Sequence, residues 1–549
     1  MHVSGMPEIL RGRRMSTAKL RGRPWPTLLA VAVGVMMVAL DSTIVAIANP
    51  AIQRDLHASL ADVQWITNGY LLALAVSLIT AGKLGDRFGH RQTFLVGVAG
   101  FAAASAAIGL SGSVTAIVVF RVLQGLFGAL MQPSALGLLR VTFPPDKLNM
   151  AIGIWSGVVG ASTAAGPIIG GLLVQHVSWE AVFFINVPVG LAALVCGLLI
   201  LKDARAEHAP KSFDVPGIVL LSGAMFCLVW GLIKAPTWGW GDTRTLGFLV
   251  AAVLAFAGFA LRESRAAEPL VPLSMFRSVP LSAGTVLMVL MAVSFIGGLF
   301  FVTFYLQNVH GMSPVESGVH LLPLTGMMIV GAPVSGILIG RFGPRFPLVA
   351  GMLLTAAALW GMSTLTAGSG TGVTSLWFVL LGLGLAPVMV GTTDVIVSNA
   401  PAELAGVAGG LQQSAMQVGG SLGTAVLGVL MASRVSDVFP GRWAKAGLPQ
   451  LDPQQAAAWN DAAKVGAVPS PGAALGWSMR TASDVVHSSF VSGMGLAFTV
   501  AGVVALAGAA VAVLTKKGEP QGEAPDGASP CPRTAQDEEP HRAPAARNT

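Results

Sequence analysis

Residues 82–91 read GKLGDRFGHR, and residues 336–345 read GILIGRFGPR. Six positions agree: Gly82, Leu84, Arg87, Phe88, Gly89 and Arg91 stand where the second stretch has Gly336, Leu338, Arg341, Phe342, Gly343 and Arg345. Each stretch joins two apolar runs of about 20 residues, the length a helix needs to cross a bilayer. Fourteen such runs can be counted, centred near Ala39, Leu72, Ala102, Leu126, Ala161, Leu191, Gly223, Leu254, Ala292, Met328, Leu354, Leu385, Val418 and Val503. The first copy links runs two and three, and the second links runs ten and eleven. Two six-helix halves alone would place the copies six runs apart. The offset of eight therefore predicts two extra helices between the halves, and runs seven and eight occupy that place.

The expected fold is an all-α polytopic membrane protein: two pseudo-symmetric six-helix bundles plus two central helices. The divisions are a basic N-terminus (1–25), a first bundle (26–202), the inserted pair with its flanking loops (203–277) and a second bundle (278–515). The second bundle includes a long loop over 433–487, and a disordered tail (516–549) follows. Composition agrees. Of the 549 residues 53% are hydrophobic and 11% charged, against about 25% charged in a soluble domain. The net charge of +7 is spread over short loops rather than gathered on a face, so no nucleic-acid footprint is present. Cys196, Cys227 and Cys531 have neither disulfide nor metal spacing. No GxxxxGK[ST] loop, zinc spacing or nucleophile elbow occurs, so neither an enzyme, an ATP-driven pump nor a cofactor is expected. The first run is too long for a signal-peptide core.

Lysine and arginine fix the expected orientation. Lys83, Arg87, Arg91, Arg140, Lys147, Lys202, Arg205, Lys211, Arg262, Arg265, Arg277, Arg341 and Arg345 fall on one side; only Arg54, Lys234 and Arg244 fall in short loops on the other. The first side is read as cytoplasmic, with both termini there.

Several polar residues stand inside apolar runs. Asp41 lies near the middle of the first, in VMMVALDSTIVAIANP (35–50). Arg121, Gln124, Gly125 and Gly128 share one helix face in run four. An arginine there costs on the order of 2.5–3.5 kcal/mol on insertion scales. Either a partner or wet cavity offsets that cost, or the side chain snorkels to the outer interface. Gly153, Gly157, Gly160, Ala164 and Gly171 form a small-residue stripe in run five, and Gly166 and Gly170 add a second pair around Pro167; such stripes let helices pack closely. Asp394 in run twelve is either a buried polar group or a solvated helix-end acid. Gly406, Gly410, Gln413, Gln417, Ser421 and Thr424 line one face of run thirteen. Its glycines suit packing on run two, and its glutamines suit either a cavity or helix contacts.

GKLGDRFGHR resembles the loop signature of the major facilitator superfamily. RVLQGLFGALMQP (121–133) resembles its fourth-helix motif, and GIWSGVVGASTAAGPIIGG (153–171) resembles the fifth-helix motif of its antiporters. LDSTIVAIANPAI (40–52), WITNGYLLALAV (65–76) and SWEAVFFINVPVG (178–190) resemble the fourteen-helix drug/proton antiporter group. Glu180 and His320 depart from it, each standing where the group usually has a basic residue. The resemblance implies a conformational latch built from Gly82, Gly85, Asp86, Arg87, Gly89 and Arg91. Gly340 stands where the second copy would need the Asp86 carboxylate, so that half is expected to lack the latch. It also implies proton coupling through Arg121, and export through the motif holding Gly157, Gly160, Gly166, Pro167, Gly170 and Gly171. Asp41 keeps three readings: proton carrier, attractor of a cationic substrate, or a structural acid with satisfied hydrogen bonds. Asp41, Gln124, Asp394, Gln413 and Gln417 are the candidate substrate contacts.

The resulting expectation is a proton-coupled antiporter that exports hydrophobic drugs or antibiotics across a bacterial inner membrane by alternating access. Its partners would be a small hydrophobic or cationic drug-like molecule, protons and the lipid bilayer, with the chain acting as a monomer. The alternatives are a proton-coupled symporter for a small nutrient and a membrane sensor that transports nothing.

Overall fold

The computed structural model describes residues 21–57, 60–202, 214–266, 269–401, 404–469 and 479–515. Most of the expected N-terminal flank and the whole tail after Thr515 lie outside the described residues. Within them, 14 helices are long and apolar enough to cross a membrane, and each expected run centre falls inside one.

The first bundle contains α1 (Pro24–Asp55), α2 (Leu60–Phe88), α3 (His90–Gly109), α4 (Val114–Thr142) and α5 (Pro145–His176), followed by the short α6 (Ala181–Phe184) and α7 (Asn186–Ile200). The inserted pair is α8 (Val215–Trp238) and α9 (Thr243–Glu263). The second bundle has α10 (Val279–Phe304), the short α11 (Pro314–His320), α12 (Leu322–Phe342), α13 (Arg345–Ser363), α14 (Thr371–Ser398), α15 (Ala405–Lys445), the short α16 (Pro453–Ala463) and α17 (Met479–Ala512). Local chemistry sets several starts. Proline occupies the first turn of α1, α5, α8 and α10, where its missing N–H has no intrahelical partner to lose. Ser113 and Asp214 cap α4 and α8 with their side chains.

The loop expected over 433–487 is shorter. α15 continues to Lys445, α17 begins at Met479, and α16 lies between them. Hydropathy marks where a helix leaves hydrocarbon, not where it stops. Arg434, Asp437 and Arg442 end the apolar pattern without breaking the helix.

The repeat is visible in the backbone. Gly89 and Gly343, the matched glycines, have φ of 97° and 78°, a region that side chains disfavour. Each copy also brings a helix against the opposite bundle. A methyl group on Gly82 of α2 would strike the Gly406 carbonyl at the start of α15, and one on Gly336 of α12 would lie 2.5 Å from the Asn149 carbonyl oxygen of α5. These contacts pair spans 2 with 13 and 10 with 5. At the offset of eight, span 2 corresponds to 10 and span 5 to 13, so the two contacts are each other's counterparts under a pseudo-twofold.

Both contacts lie at the end of the bundle that carries the repeated loops, here called the loop face. Further along α5, Gly157 faces Ile329 at van der Waals distance and Gly160 has nothing within 4 Å. Contact resumes at the far rim, where Gly171 meets Val315 of α11. The bundles therefore close tightly on each other at the loop face.

Candidate functional site

Asp41 and Arg121 meet inside the first bundle. Arg121 Nη1 lies 2.6 Å from Asp41 Oδ2. Neither residue is accessible, at 0% and 1% exposure. That burial removes the snorkelling reading of Arg121. Asp41 Oδ1 accepts from Gln124 Nε2 at 3.0 Å and Asn186 Nδ2 at 3.2 Å. Both amides also donate to Ser105 Oγ, at 2.6 and 3.0 Å. Arg121 has other acceptors: Gln124 Oε1 at 2.6 Å and the Ile66 carbonyl at 3.1 Å. Its guanidinium also stacks over Tyr70 at 4.1 Å, a favourable cation–π distance. Five helices thus supply one polar cluster within apolar surroundings. A buried ion pair of this kind stays low in energy only if every remaining donor and acceptor is met. Here Arg121 keeps partners even if Asp41 loses its charge.

Gln124 was expected to line the substrate path. Its amide is instead spent on Arg121, Asp41 and Ser105, and in this state neither it nor Asp41 offers a ligand any accessible surface. Asp394 is buried in α14 and accepts from Ser398 at 2.9 Å, which removes the solvated reading. Gln413 is buried in α15 and Gln417 is half-buried there. The Asp41 cluster is formed entirely by first-bundle residues, so the candidate substrate contacts are not gathered into one pocket.

The Gly82–Arg91 loop holds the seam between the bundles. Asp86 is 3% exposed. Its Oδ1 accepts from Gly406 N at 2.7 Å and its Oδ2 from Val407 N at 3.0 Å. Both amides belong to the first turn of α15, where free N–H groups and the helix dipole favour an anion. Across the same seam Arg140 of α4 donates to the carbonyls of Val397 and, at 2.6 Å, Ala400. That places a cation at the C-terminal end of α14, the complementary pole. Gly85 and Gly137 leave room for the His90 ring, which sits 3.4 Å from Asp86. Arg91 donates to the Leu198 carbonyl at 3.3 Å, and Arg87 lies over the Phe88 ring.

The stripe on α5 serves two neighbours. Gly153 and Gly157 face α12 of the second bundle, whereas methyls on Gly166 and Gly170 would strike Thr43 and Ile44 of α1. Thr43 also donates to the Thr163 carbonyl at 3.1 Å. This stripe therefore sets the position of α1 a fraction of a turn from Asp41. The side chain of Pro167 lies outside those described.

At the end opposite the loop face, His310, Met312, Val315, Glu316, Val319, His320 and Ser375 surround a cavity of about 630 Å³. Burial lowers the proton affinity of both imidazoles, and at His310 the neighbouring His320 and His487 lower it further. His320 Nε2 lies 2.8 Å from Thr374 Oγ1.

The sequence reading did not single out Asn186, Ser105, Tyr70 or His90, and it counted Arg140 only as a loop charge. Asn186 and Ser105 carry one weak signal, a lone amide or hydroxyl inside an apolar run.

The model of the Major Facilitator Superfamily matches residues 31–424. The tetracenomycin C resistance and export protein of Streptomyces glaucescens is 87% identical over 507 residues, covering 92% of this chain and 94% of that protein. The multidrug efflux pump LfrA of Mycolicibacterium smegmatis is 32% identical over 507 residues, covering 90% and 97%. Among solved structures, the proton:xylose symporter XylE has a TM-score of 0.58 at 11% identity, covering 88% of this chain and 94% of that one. That likeness concerns the fold alone. Fold, repeat and relatives converge: the chain belongs to the major facilitator superfamily.

Proposed function

We propose that the protein is a proton-driven exporter of an antibiotic related to tetracenomycin C, working by alternating access across a bacterial inner membrane with both termini cytoplasmic. The observation that carries this reading is the enclosed Asp41–Arg121 pair, in a chain 87% identical to a resistance and export protein. The division into two bundles and an inserted pair gives the moving parts. The described state is closed at the loop face, which the orientation argument makes the cytoplasmic one.

Asp41 is the proton carrier in this mechanism. With Asp41 charged, Arg121 is held by it and the cluster is locked. A proton arriving from outside neutralises Asp41, and Arg121 falls back on Gln124, the Ile66 carbonyl and the Tyr70 ring. The loosened cluster lets α1 move against α5 along the Gly166–Gly170 contact, and the Asp86 and Arg140 grips at the seam part. Deprotonation toward the cytoplasm restores the lock. The cation-attractor role of Asp41 is the weaker one, because the guanidinium already occupies its carboxylate.

Energetics bound the exchange. One proton crossing about 100 mV with one pH unit releases roughly 3.7 kcal/mol. That sustains a gradient of several hundred-fold for a neutral substrate, on the order of 1.4 kcal/mol per factor of ten. For a monovalent cation swapped one for one the voltage term cancels, leaving about tenfold.

Cells expressing the wild type are expected to extrude tetracenomycin C, and a protonophore is expected to raise the retained compound to the level of cells lacking the protein. Efflux that ignores the protonophore would rule out proton drive.

A further inference from the structure

We propose that Lys83 and Glu263 are positioning residues that strap the inserted helix pair over the latch, so that α8 and α9 are a working part of the gate. The proposal rests on the alternating-access reading above, because it requires the seam at the loop face to open and close.

Lys83 lies three residues before Asp86 on α2. The two charges attract each other but hydrogen-bond to different elements. Asp86 grips the first turn of α15, whereas Lys83 Nζ donates to the Pro269 carbonyl at 2.9 Å. Pro269 belongs to the segment that leads from α9 to the second bundle. Glu263, at the end of α9, is 4% exposed, and its Oε2 accepts from Val271 N at 3.1 Å in the same segment. Asp214 caps the start of α8 and pairs with Arg262 of α9 at 3.1 Å. The start of α8, the end of α9 and the following segment are thereby pinned together beside the latch. A buried lysine and a buried glutamate are expensive to place, and nothing in the packing of two apolar helices requires them.

The apolar contacts lead to the same place. Leu270 and Val271 are 1% and 4% exposed and pack in one core with Leu72 and Ile79 of α2 and Val407 of α15. Val407 is the residue whose N–H Asp86 holds. One residue of α15 is thus gripped through its amide by the first bundle while its side chain shares an apolar core with the inserted segment. At the other end of the pair, Trp230 of α8 stacks on Trp65 of α2 at 4.9 Å. The inserted pair is therefore fixed to the first bundle at both ends and meets the second bundle at the latch. Opening the seam must draw Val407 out of the core to which Leu270 and Val271 belong. Lys83 and Glu263 set how firmly that core is held.

The test needs neither substrate nor a proton gradient, so its outcome is separable from that of the transport reading. Cys196, Cys227 and Cys531 are replaced by serine, Val407→Cys is introduced, and the rate of maleimide labelling is measured on purified protein. Ala193→Cys, in the core of the first bundle, serves as a second reporter. Lys83→Met and Glu263→Met are each expected to raise labelling at position 407 roughly two- to tenfold, the loss of one buried hydrogen bond, with position 193 unchanged. Lys83→Arg is expected to restore protection. Lys83→Gln gives the same reading if the methionine variant does not fold. Labelling at 407 that stays at its starting rate in the Lys83 and Glu263 variants, while Asp86→Asn raises it, overturns the proposal and leaves the latch. Equal increases at 407 and 193 overturn it too, because they report general loosening. No increase even with Asp86→Asn overturns both latch and strap.

Discussion

Arg121→Ala is expected to abolish export and to destabilise the first bundle by about 3–5 kcal/mol, the usual cost of removing one partner of a buried ion pair. Asp41 would remain enclosed with only the Gln124 and Asn186 amides facing it. A carboxylate with two neutral donors and no counter-ion is a poor occupant of a dry interior. The measurement is the thermal midpoint of purified protein, together with resistance in cells. A double variant separates the two effects. Asp41→Asn combined with Arg121→Ala removes the orphaned charge, so much of the lost stability is expected to return while export does not. Such non-additivity is the mark of two residues in one network. Equal and additive losses from the two single changes would mean that the pair is not coupled.

Gly82→Val is expected to abolish export by a different route. A side chain at that position lands on the Gly406 carbonyl, which is backbone and has no rotamer to yield. Overpacking of this kind costs about 1–3 kcal/mol or more, enough to shift an open–closed balance roughly 5- to 150-fold. The protein should fold, because the contact lies between the bundles and not within either core. The expected result is normal membrane expression, no resistance, and a Val407→Cys reporter that labels as in an open seam. Gly336→Val should do the same through the Asn149 carbonyl, although the second copy has Gly340 where the first has Asp86. That equivalence follows from the pseudo-twofold, and a mild effect of Gly336→Val would show that the two seams do not close together.

The fold was legible in the sequence because the bilayer imposes one length on every crossing helix, and because a repeated loop reveals the offset between halves. The inserted pair followed from counting alone. The extent of α15 was not legible, since a helix can leave hydrocarbon and continue through polar residues. The site was half legible. Asp41 and Arg121 each stand out as charges in apolar runs, yet they are 80 positions apart and nothing in one sequence states that they touch. Asn186 and Ser105 are quieter, because a single amide or hydroxyl in a membrane helix is common. The second role of Arg140 was not legible, because a basic residue near a helix end satisfies the orientation rule by itself. Its reach to the carbonyls closing α14 depends on the other bundle being there.

The glutamines of α15 and the acid of α14 illustrate a further limit. Gln413, Gln417 and Asp394 were grouped with Asp41 by residue type, as polar atoms in apolar runs. In the closed state they lie in the other bundle, outside the cluster that holds Asp41.

The central claim is that the enclosed carboxylate of the first helix carries the driving proton. Its most direct test uses proteoliposomes with an imposed pH gradient, tetracenomycin C as the transported probe, and wild type compared with Asp41→Asn. Wild type is expected to accumulate the compound against its gradient. The asparagine variant is expected to let it run down its gradient without accumulation. An Asp41→Asn protein that concentrates the compound as the wild type does would contradict the account.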